Sequence, residues 1–138
     1  MGGSHSFSPA SPTAIAPSAI LPSPMPPDDA TLPSLLRDRR DSMGREIAFF
    51  QKRAGSWHAS TWDDYARRVA CLSRALLDHG LQKGDHVAII GDVSQEWVIA
   101  FMATACSGGV AVGIYFTSST EEVEYFLEDS GSTFVFVA

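Results

Sequence analysis

The sequence has 138 residues, of which 45% are apolar and 19% charged, with a formal net charge of −6 and two cysteines. This composition is typical of a globular chain and excludes fibrous, collagen-like and disulfide-framework proteins. All eight prolines fall within the first 33 residues. We therefore expect a disordered Pro/Ser-rich extension over residues 1–30 and one folded unit over residues 31–138. The extension lacks Lys and Arg, which argues against a secretory signal or a transit peptide.

The charges are unevenly distributed along the chain. Eight of the ten Lys and Arg residues lie between positions 37 and 68, whereas eight acidic residues and no Lys or Arg follow Lys83. A nucleic-acid binder needs a basic stripe on its folded core, so we expect no nucleic-acid partner. The two cysteines, which form no framework, indicate a reducing compartment. We expect a cytoplasmic protein, with peripheral membrane association left open.

The first half of the folded unit predicts a helical turn, a hairpin and a helix. Three leucines indicate the turn, ahead of a charged run: Leu32, Leu35 and Leu36. Residues 46–51 and 57–60 flank a turn at 52–56, which is typical of a β-hairpin. A helix follows, because its apolar residues recur at spacings of three and four: Trp62, Tyr65, Val69, Leu72 and Leu76. Thr61 with Asp64 resembles a capping box, Gly80 can close the helix, and we expect a solvated basic face: Arg67, Arg68 and Arg74.

The second half alternates three apolar runs with two helical segments. The runs at 86–90, 110–114 and 133–137 lack polar residues beyond their first position, which is typical of parallel strands buried on both faces. The first helix should begin with Asp92 or Ser94 as its N-cap and turn these residues inward: Trp97, Val98, Phe101, Met102 and Ala105. The second should begin with a Ser119/Glu122 capping box and end at Gly131. Its apolar face consists of Val123, Phe126 and Leu127, and its acidic face consists of Glu121, Glu124, Glu128 and Asp129.

The predicted fold class is therefore α/β. Right-handed crossovers give a β-α-β-α-β parallel sheet layered with helices, preceded by a hairpin and a disordered tail. A membrane span is the alternative for Trp97–Thr120, which has no charge over 24 positions, but Gly108 and Gly109 interrupt it and favour helix, turn and strand. The glycines at 108, 109 and 113 do not have the spacing of a dinucleotide-binding fingerprint.

The residues alone indicate no catalytic, cofactor-binding or metal site. The turn Gly91–Ser94 could offer a helix N-terminus to a phosphate, but Asp92 would repel the anion, so we favour capping. A metal site from Cys71, His79 and His86 would require three unrelated faces to converge. We interpret Cys71 and Cys106 as core residues.

Six motifs, in order, resemble those of the AMP-forming acyl-CoA synthetases, which are members of the adenylate-forming superfamily. Four of them are Trp57-x-x-Ser60-Thr61-Trp62-x-Asp64-Tyr65, Ala75-Leu76-Leu77-x-x-Gly80-Leu81-x-x-Gly84-Asp85-x-Val87-Ala88-Ile89, Ser94-Gln95-Glu96-Trp97 and Ala105-Cys106-Ser107-Gly108-Gly109-Val110. Gly113-Ile114-Tyr115-x-Thr117 is similar to the long-chain fatty-acyl branch, and Glu122-x-x-Tyr125-x-Leu127-x-x-Ser130 continues the match. Ser94 departs from the usual Asn.

The resemblance implies an ATP-dependent ligase that adenylates a fatty acid and then forms a thioester with CoA. It implies ATP, Mg²⁺ and CoA for the full-length enzyme and none in this chain, because the family's triphosphate loop, adenine motifs and catalytic Lys follow the matched region. We therefore expect the N-terminal portion of a longer synthetase, truncated at its C-terminus, inactive by itself, and partnered by the missing remainder. Two alternatives stay open: another adenylate-forming ligase (aryl-acid or carrier-protein adenylation), and a stand-alone, non-catalytic α/β interaction module.

Overall fold

The computed structural model describes residues 26–138, so most of the predicted extension lies outside the described residues. The described chain contains these elements, in order: α1 (Leu32–Met43), β1 (Ile47–Arg53), β2 (Ser56–Thr61), α2 (Trp62–Asp78), β3 (His86–Gly91), α3 (Gln95–Cys106), β4 (Val110–Tyr115), α4 (Thr120–Ser130) and β5 (Phe134–Val137). The predicted α/β class is confirmed.

The sheet that organises the fold is parallel and has the strand order β4-β3-β5. β3 lies in the centre, and the side chains of Val87, Ala88 and Ile89 are 0% exposed, as its apolar sequence predicted. β4 follows β3 on one side, and the chain then crosses back so that β5 lies on the other side. Because such crossovers are right-handed, α3 and α4 lie on opposite faces of the sheet.

The core lies between the sheet and the α2/α3 layer. Tyr65, Val69 and Leu76 of the predicted α2 stripe are buried, and they cluster with Val87 and Ile99. The helices are also joined by a hydrogen bond, since the buried Ser73 hydroxyl donates to the Ala103 carbonyl oxygen at 3.0 Å. The Thr61 hydroxyl accepts from the Asp64 amide at 3.2 Å, and Gly80 takes a positive φ of 96° directly after the helix. The predicted boundaries of α2 are therefore confirmed.

The predicted inner face of α3 is only partly correct, because Val98 and Met102 pack against the core but are not its most buried residues. The five predicted residues (Trp97, Val98, Phe101, Met102 and Ala105) are only half-buried, whereas the buried ones are Gln95, Ile99, Ala100, Ala103 and Thr104. The physical reason is that the run from Trp97 to Ala103 contains apolar residues alone, so the spacing of its apolar residues does not select one face.

α1 is longer than predicted, because the charged run forms part of the helix. Thr31 and Ser34 form a reciprocal capping box at its start, and Leu36 is the residue that it buries. The exposed Arg40 pairs with the neighbouring Asp41 at 2.6 Å. A helix with one buried contact and a solvated charged face has too weak an apolar pattern for its length to be read from spacing.

The predicted hairpin is confirmed, with a shorter turn. β1 and β2 are antiparallel, and Arg53 pairs with Ser56, so the turn consists of Ala54 and Gly55 alone. Both residues have positive φ, 47° and 82°, which matches the twist of a two-residue hairpin. Phe49 fixes the hairpin to α2 through an edge-to-face contact with Tyr65, with ring centroids 5.4 Å apart.

α4 has the predicted ends, but its apolar face is not buried. Ser119 and Glu122 form a capping box, and Gly131 is left-handed at the end of the helix. However, Phe126 is exposed and Val123 and Leu127 are half-buried, because the described sheet is too narrow to cover this helix. The membrane alternative is contradicted, since residues 97–120 form helix, turn and strand, and no helix within residues 26–138 is long and apolar enough to span a bilayer.

Candidate functional site

The strongest candidate for a binding site lies at the carboxyl ends of β3 and β4. The helices that follow these two strands leave toward opposite faces of the sheet, and ligands of open α/β sheets bind at such switch points. A crevice of about 300 Å³ opens there and is lined by Gly91, Val93, Trp97, Gly113, Ile114 and Tyr115. The fold therefore supplies a preformed depression at the place where α/β proteins most often use one.

The lining of this crevice is apolar. Trp97 forms one wall and stacks on Phe101 at 5.7 Å with the rings 9° apart. Gly113 forms the floor, and a Cβ placed there would lie 3.4 Å from Trp97 Cζ2. Tyr115, which is 80% exposed, contributes the one ionisable side chain of the described lining. Such a site can hold an apolar or aromatic group, but this lining contains no charge that would bind a phosphate or polarise a carbonyl group.

The turn beside the crevice is used for capping. Ser94 is the N-cap of α3, since its Oγ accepts from the Trp97 amide at 3.1 Å. The Asp92 carboxylate accepts a hydrogen bond from the Val93 amide of the same loop at 2.8 Å. The N-terminus of α3 thus already has an acceptor and a nearby negative charge, which supports the predicted preference for capping over phosphate binding.

The candidate metal ligands are not brought together as one site. Cys71 lies within α2 and His79 caps the end of that helix, with its Nδ1 2.8 Å from the Ala75 carbonyl oxygen. His86 begins β3. Within residues 26–138, no group of three or more His, Cys, Asp or Glu side chains is placed to hold a metal ion.

The prediction that both cysteines belong to the core is wrong. Cys71 and Cys106 are both exposed: Cys71 lies off the apolar stripe of α2, and Cys106 is the last residue of α3. Partial desolvation nevertheless raises the pKa of the Cys106 thiol, so this group is a weak nucleophile at neutral pH.

The main electrostatic feature that sequence spacing did not indicate is centred on Glu96 in the first turn of α3. Its carboxylate accepts hydrogen bonds from Gln51 at 3.2 Å and from Arg53, both of β1. The Arg68 guanidinium of α2 lies 3.8 Å from the same carboxylate. The predicted solvated basic face of α2 is therefore limited to Arg67 and Arg74, which pair with Asp64 and Asp78 of the same helix. Three elements that are distant in sequence thus meet at one carboxylate.

The pKa of Glu96 reflects this arrangement. Partial burial alone would raise it, but hydrogen bonds from its own amide and from Gln51, together with the charges of Arg53 and Arg68, bring the net pKa below the ordinary value of 4.5. A carboxylate held ionised by cations it already pairs with is typical of a structural ion pair rather than of a general acid.

Comparison with known proteins places this architecture in a family. A family profile described as "AMP-binding enzyme" matches residues 36–138. The chain belongs to the AMP-binding enzymes. Within this family it is similar to the human long-chain-fatty-acid–CoA ligase ACSBG1 (33% identity over 107 residues, 78% of this chain and 15% of the relative). It is also similar to the mouse long-chain-fatty-acid–CoA ligase ACSBG2 (29% identity over 107 residues, 78% of this chain and 16% of the relative).

Solved structures give the same result for the fold of this AMP-binding chain. The N-terminal domain of FACL13 from Mycobacterium tuberculosis superposes with a TM-score of 0.71 at 28% identity, covering 77% of this chain and 26% of that one. The fatty acid AMP ligase from Legionella pneumophila superposes with a TM-score of 0.72 at 16% identity, covering 78% and 19%. The chain therefore spans about a sixth of the length of the curated relatives.

The family resemblance read from the six motifs is confirmed, and the structure shows what several of these residues do. Trp97 and Gly113 come from separate motifs, yet they form the wall and the floor of one crevice. Gly109, of the Gly108-Gly109 pair, allows a close approach, since a Cβ there would lie 3.1 Å from Thr104 Cγ2 and 3.2 Å from the Asp85 carbonyl oxygen. The motif spacing did not indicate that Trp97 and Gly113 meet, because only the pairing of β3 with β4 brings them together.

Proposed function

We propose that residues 31–138 form the N-terminal portion of an ATP-dependent, AMP-forming long-chain fatty-acid–CoA ligase and act as its framework. The observation that carries this proposal is the match over 107 residues to curated relatives named as long-chain-fatty-acid–CoA ligases. The Gly113-Ile114-Tyr115 motif, at the end of β4, supports the fatty-acyl branch over aryl-acid or carrier-protein adenylation. The partner of this portion is the remainder of such an enzyme, and the proposed location is the cytoplasm.

The proposed enzyme would use ATP, Mg²⁺ and CoA and release AMP and pyrophosphate. The described residues do not fit ATP with Mg²⁺. The crevice is apolar, and Asp92 places a negative charge beside the nearest helix N-terminus, where a triphosphate would need cations and backbone amides. No catalytic step is therefore assigned to this chain, and its proposed part is to shape and support a site completed by other residues.

Fatty-acid-dependent exchange of pyrophosphate into ATP tests the framework role. We expect the purified 138-residue chain to show no exchange above a protein-free blank with palmitate, ATP and Mg²⁺. Exchange that depends on both the chain and the fatty acid would refute the framework role.

A chimera tests the assignment to the fatty-acid ligases. Residues 36–138 would replace the matched segment of the human ligase ACSBG1, and the unmodified human enzyme would be assayed beside it. We expect the chimera to exchange pyrophosphate with palmitate and to form palmitoyl-CoA, whereas benzoate should support neither. A folded chimera without activity would favour a stand-alone interaction module, and activity with benzoate but not palmitate would favour an aryl-acid ligase.

A further inference from the structure

A groove in the helical layer has the positive charge that the crevice lacks. It lies between α1 and α2, is closed at one side by Cys106 at the end of α3, and has a volume of about 350 Å³. This volume is within the range of small-molecule sites in proteins. All of its described lining falls between positions 33 and 106, so neither α4 nor β5 takes part in it.

Two facing helix stripes form the groove. Its lining residues fall at positions 33–40 of α1 and 66–77 of α2, and within each helix they recur at intervals of three and four. Residues at these intervals share one face of a helix. Three residues of the α2 stripe are small, namely Ala66, Ala70 and Ser73. Because small side chains do not fill the space between two helices, a depression remains there.

The floor of this groove is apolar. Leu36 of α1 is 7% exposed and Val69 of α2 is 1% exposed, and both line the groove. Ser73, a polar residue of the same lining, already donates its hydroxyl to the Ala103 carbonyl oxygen. The floor therefore offers apolar contact, which favours a hydrocarbon chain over a polar group.

The rim of the groove is cationic. Three arginines line it, namely Arg37, Arg40 and Arg74, whereas no described Asp or Glu does. Each of these arginines pairs with a nearby acid on its own helix: Asp38, Asp41 and Asp78, respectively. Such exposed pairs contribute little to stability, so each guanidinium can turn to an anion bound in the groove. Cations above an apolar floor complement a ligand that has an anionic head and an apolar chain.

We propose that this groove binds a monomeric alkyl anion with a single chain. The hydrocarbon chain would lie on the floor, and the anionic head would lie among the three guanidinium groups. A single molecule is favoured over a membrane surface, because the acids paired with the arginines do not line the groove and would repel an anionic bilayer. The groove shares no described lining residue with the crevice, and its ligand class follows from its lining without recourse to the proposed function.

An NMR titration of the isotope-labelled 138-residue chain tests the site. Octanoate, kept below its micelle concentration, should shift the amides of positions 34–40 and 66–77 together and to saturation. Octanol has the same chain length without the charge and should bind about tenfold more weakly. Acetate has the charge without the chain and should give no saturable shift. Absence of saturable shifts with octanoate, or equal affinity for octanol, would overturn the proposal.

Two arginines of α2 form a matched pair for the charge. Arg74→Gln should weaken octanoate binding about threefold, because it removes one of three exposed cations. Arg67 also lies on α2 and pairs with an acid of that helix, at 2.8 Å, but it does not line the groove. Arg67→Gln should therefore leave octanoate binding unchanged. Equal effects of the two variants would show that the groove does not bind the anionic head.

Two tryptophan variants test the space for the chain. Ala70→Trp fills the groove and should abolish octanoate binding, whereas Cys71→Trp, at the exposed neighbouring position outside the groove, should not. Circular dichroism would verify that each variant is folded, and the arginine pair decides the outcome if Ala70→Trp unfolds. Phosphatidylglycerol vesicles provide the last arm. If the chain binds these vesicles through Arg74 but does not bind octanoate, the arginines face a membrane and the proposal is wrong.

Discussion

Leu76 and Leu77 offer a direct test of the packing on which the fold depends. They are adjacent in α2, but Leu76 is 4% exposed within the core and Leu77 is 48% exposed. Leu76→Ala removes three buried carbons, a transfer cost of about 2.4 kcal/mol, and the remaining cavity raises the loss of unfolding free energy to about 3 kcal/mol. Leu77→Ala should cost about 1 kcal/mol, because half of that side chain already contacts water.

Urea unfolding followed by far-UV circular dichroism measures both losses. The two variants make the same chemical change at neighbouring helical positions, so their difference isolates burial from helix propensity. We expect a difference of about 2 kcal/mol at an unchanged urea slope, and a fall in melting temperature of roughly 15 °C for Leu76→Ala. Equal losses, or a loss below about 1 kcal/mol for Leu76→Ala, would refute the placement of the α2 stripe in the core.

Two further predictions concern pH. Because the folded-state pKa of Glu96 is lowered, its contribution to stability is present at neutral pH and is lost as the pH falls below the ordinary value of 4.5. Glu96→Gln should therefore cost under about 1 kcal/mol at pH 7 and flatten the acid limb of the stability curve. Burial, with a smaller effect of Cys106, raises the pKa of Tyr65 to about 12. Ultraviolet titration should therefore show a phenol that ionises near pH 12, and Tyr65→Phe should remove this transition. The stabilisation from this phenol is complete below its ordinary value of 10.0 and is lost toward pH 12; a pH 10 transition for all tyrosines would contradict its burial.

The described lining of the crevice contains no catalytic group, which limits what this part of an AMP-binding enzyme can do. The described lining contains Trp97 and two glycines but no carboxylate, imidazole or amine. An AMP-binding enzyme that contained only this arrangement could position an apolar group but could not stabilise the charge that develops on a phosphate. In the proposed function, this chain therefore supplies the framework and other residues supply the catalytic groups. The exchange assay tests the framework role, and the chimera tests the assignment to the fatty-acid ligases.

Local sequence determined the elements whose signals are local. The α2 stripe, the capping box of Ser119 with Glu122 and the left-handed Gly131 each depend on residues within one or two turns, so spacing alone predicted them. The apolar run at β3 likewise predicted a strand buried on both faces. The motif order also indicated the family without any contact being known, because each motif keeps its residue types and spacing wherever the chain folds.

Tertiary structure decided what depends on residues far apart in the chain. Which side of α3 is buried followed from where α2 and the sheet lie, since the apolar run from Trp97 to Ala103 has no preferred face of its own. The Glu96 ion pairs required β1, α2 and α3 to converge, and the crevice required β3 to pair with β4. Burial and charge pairing depend on which residues are neighbours in space. Local sequence does not specify these neighbours when they are distant along the chain.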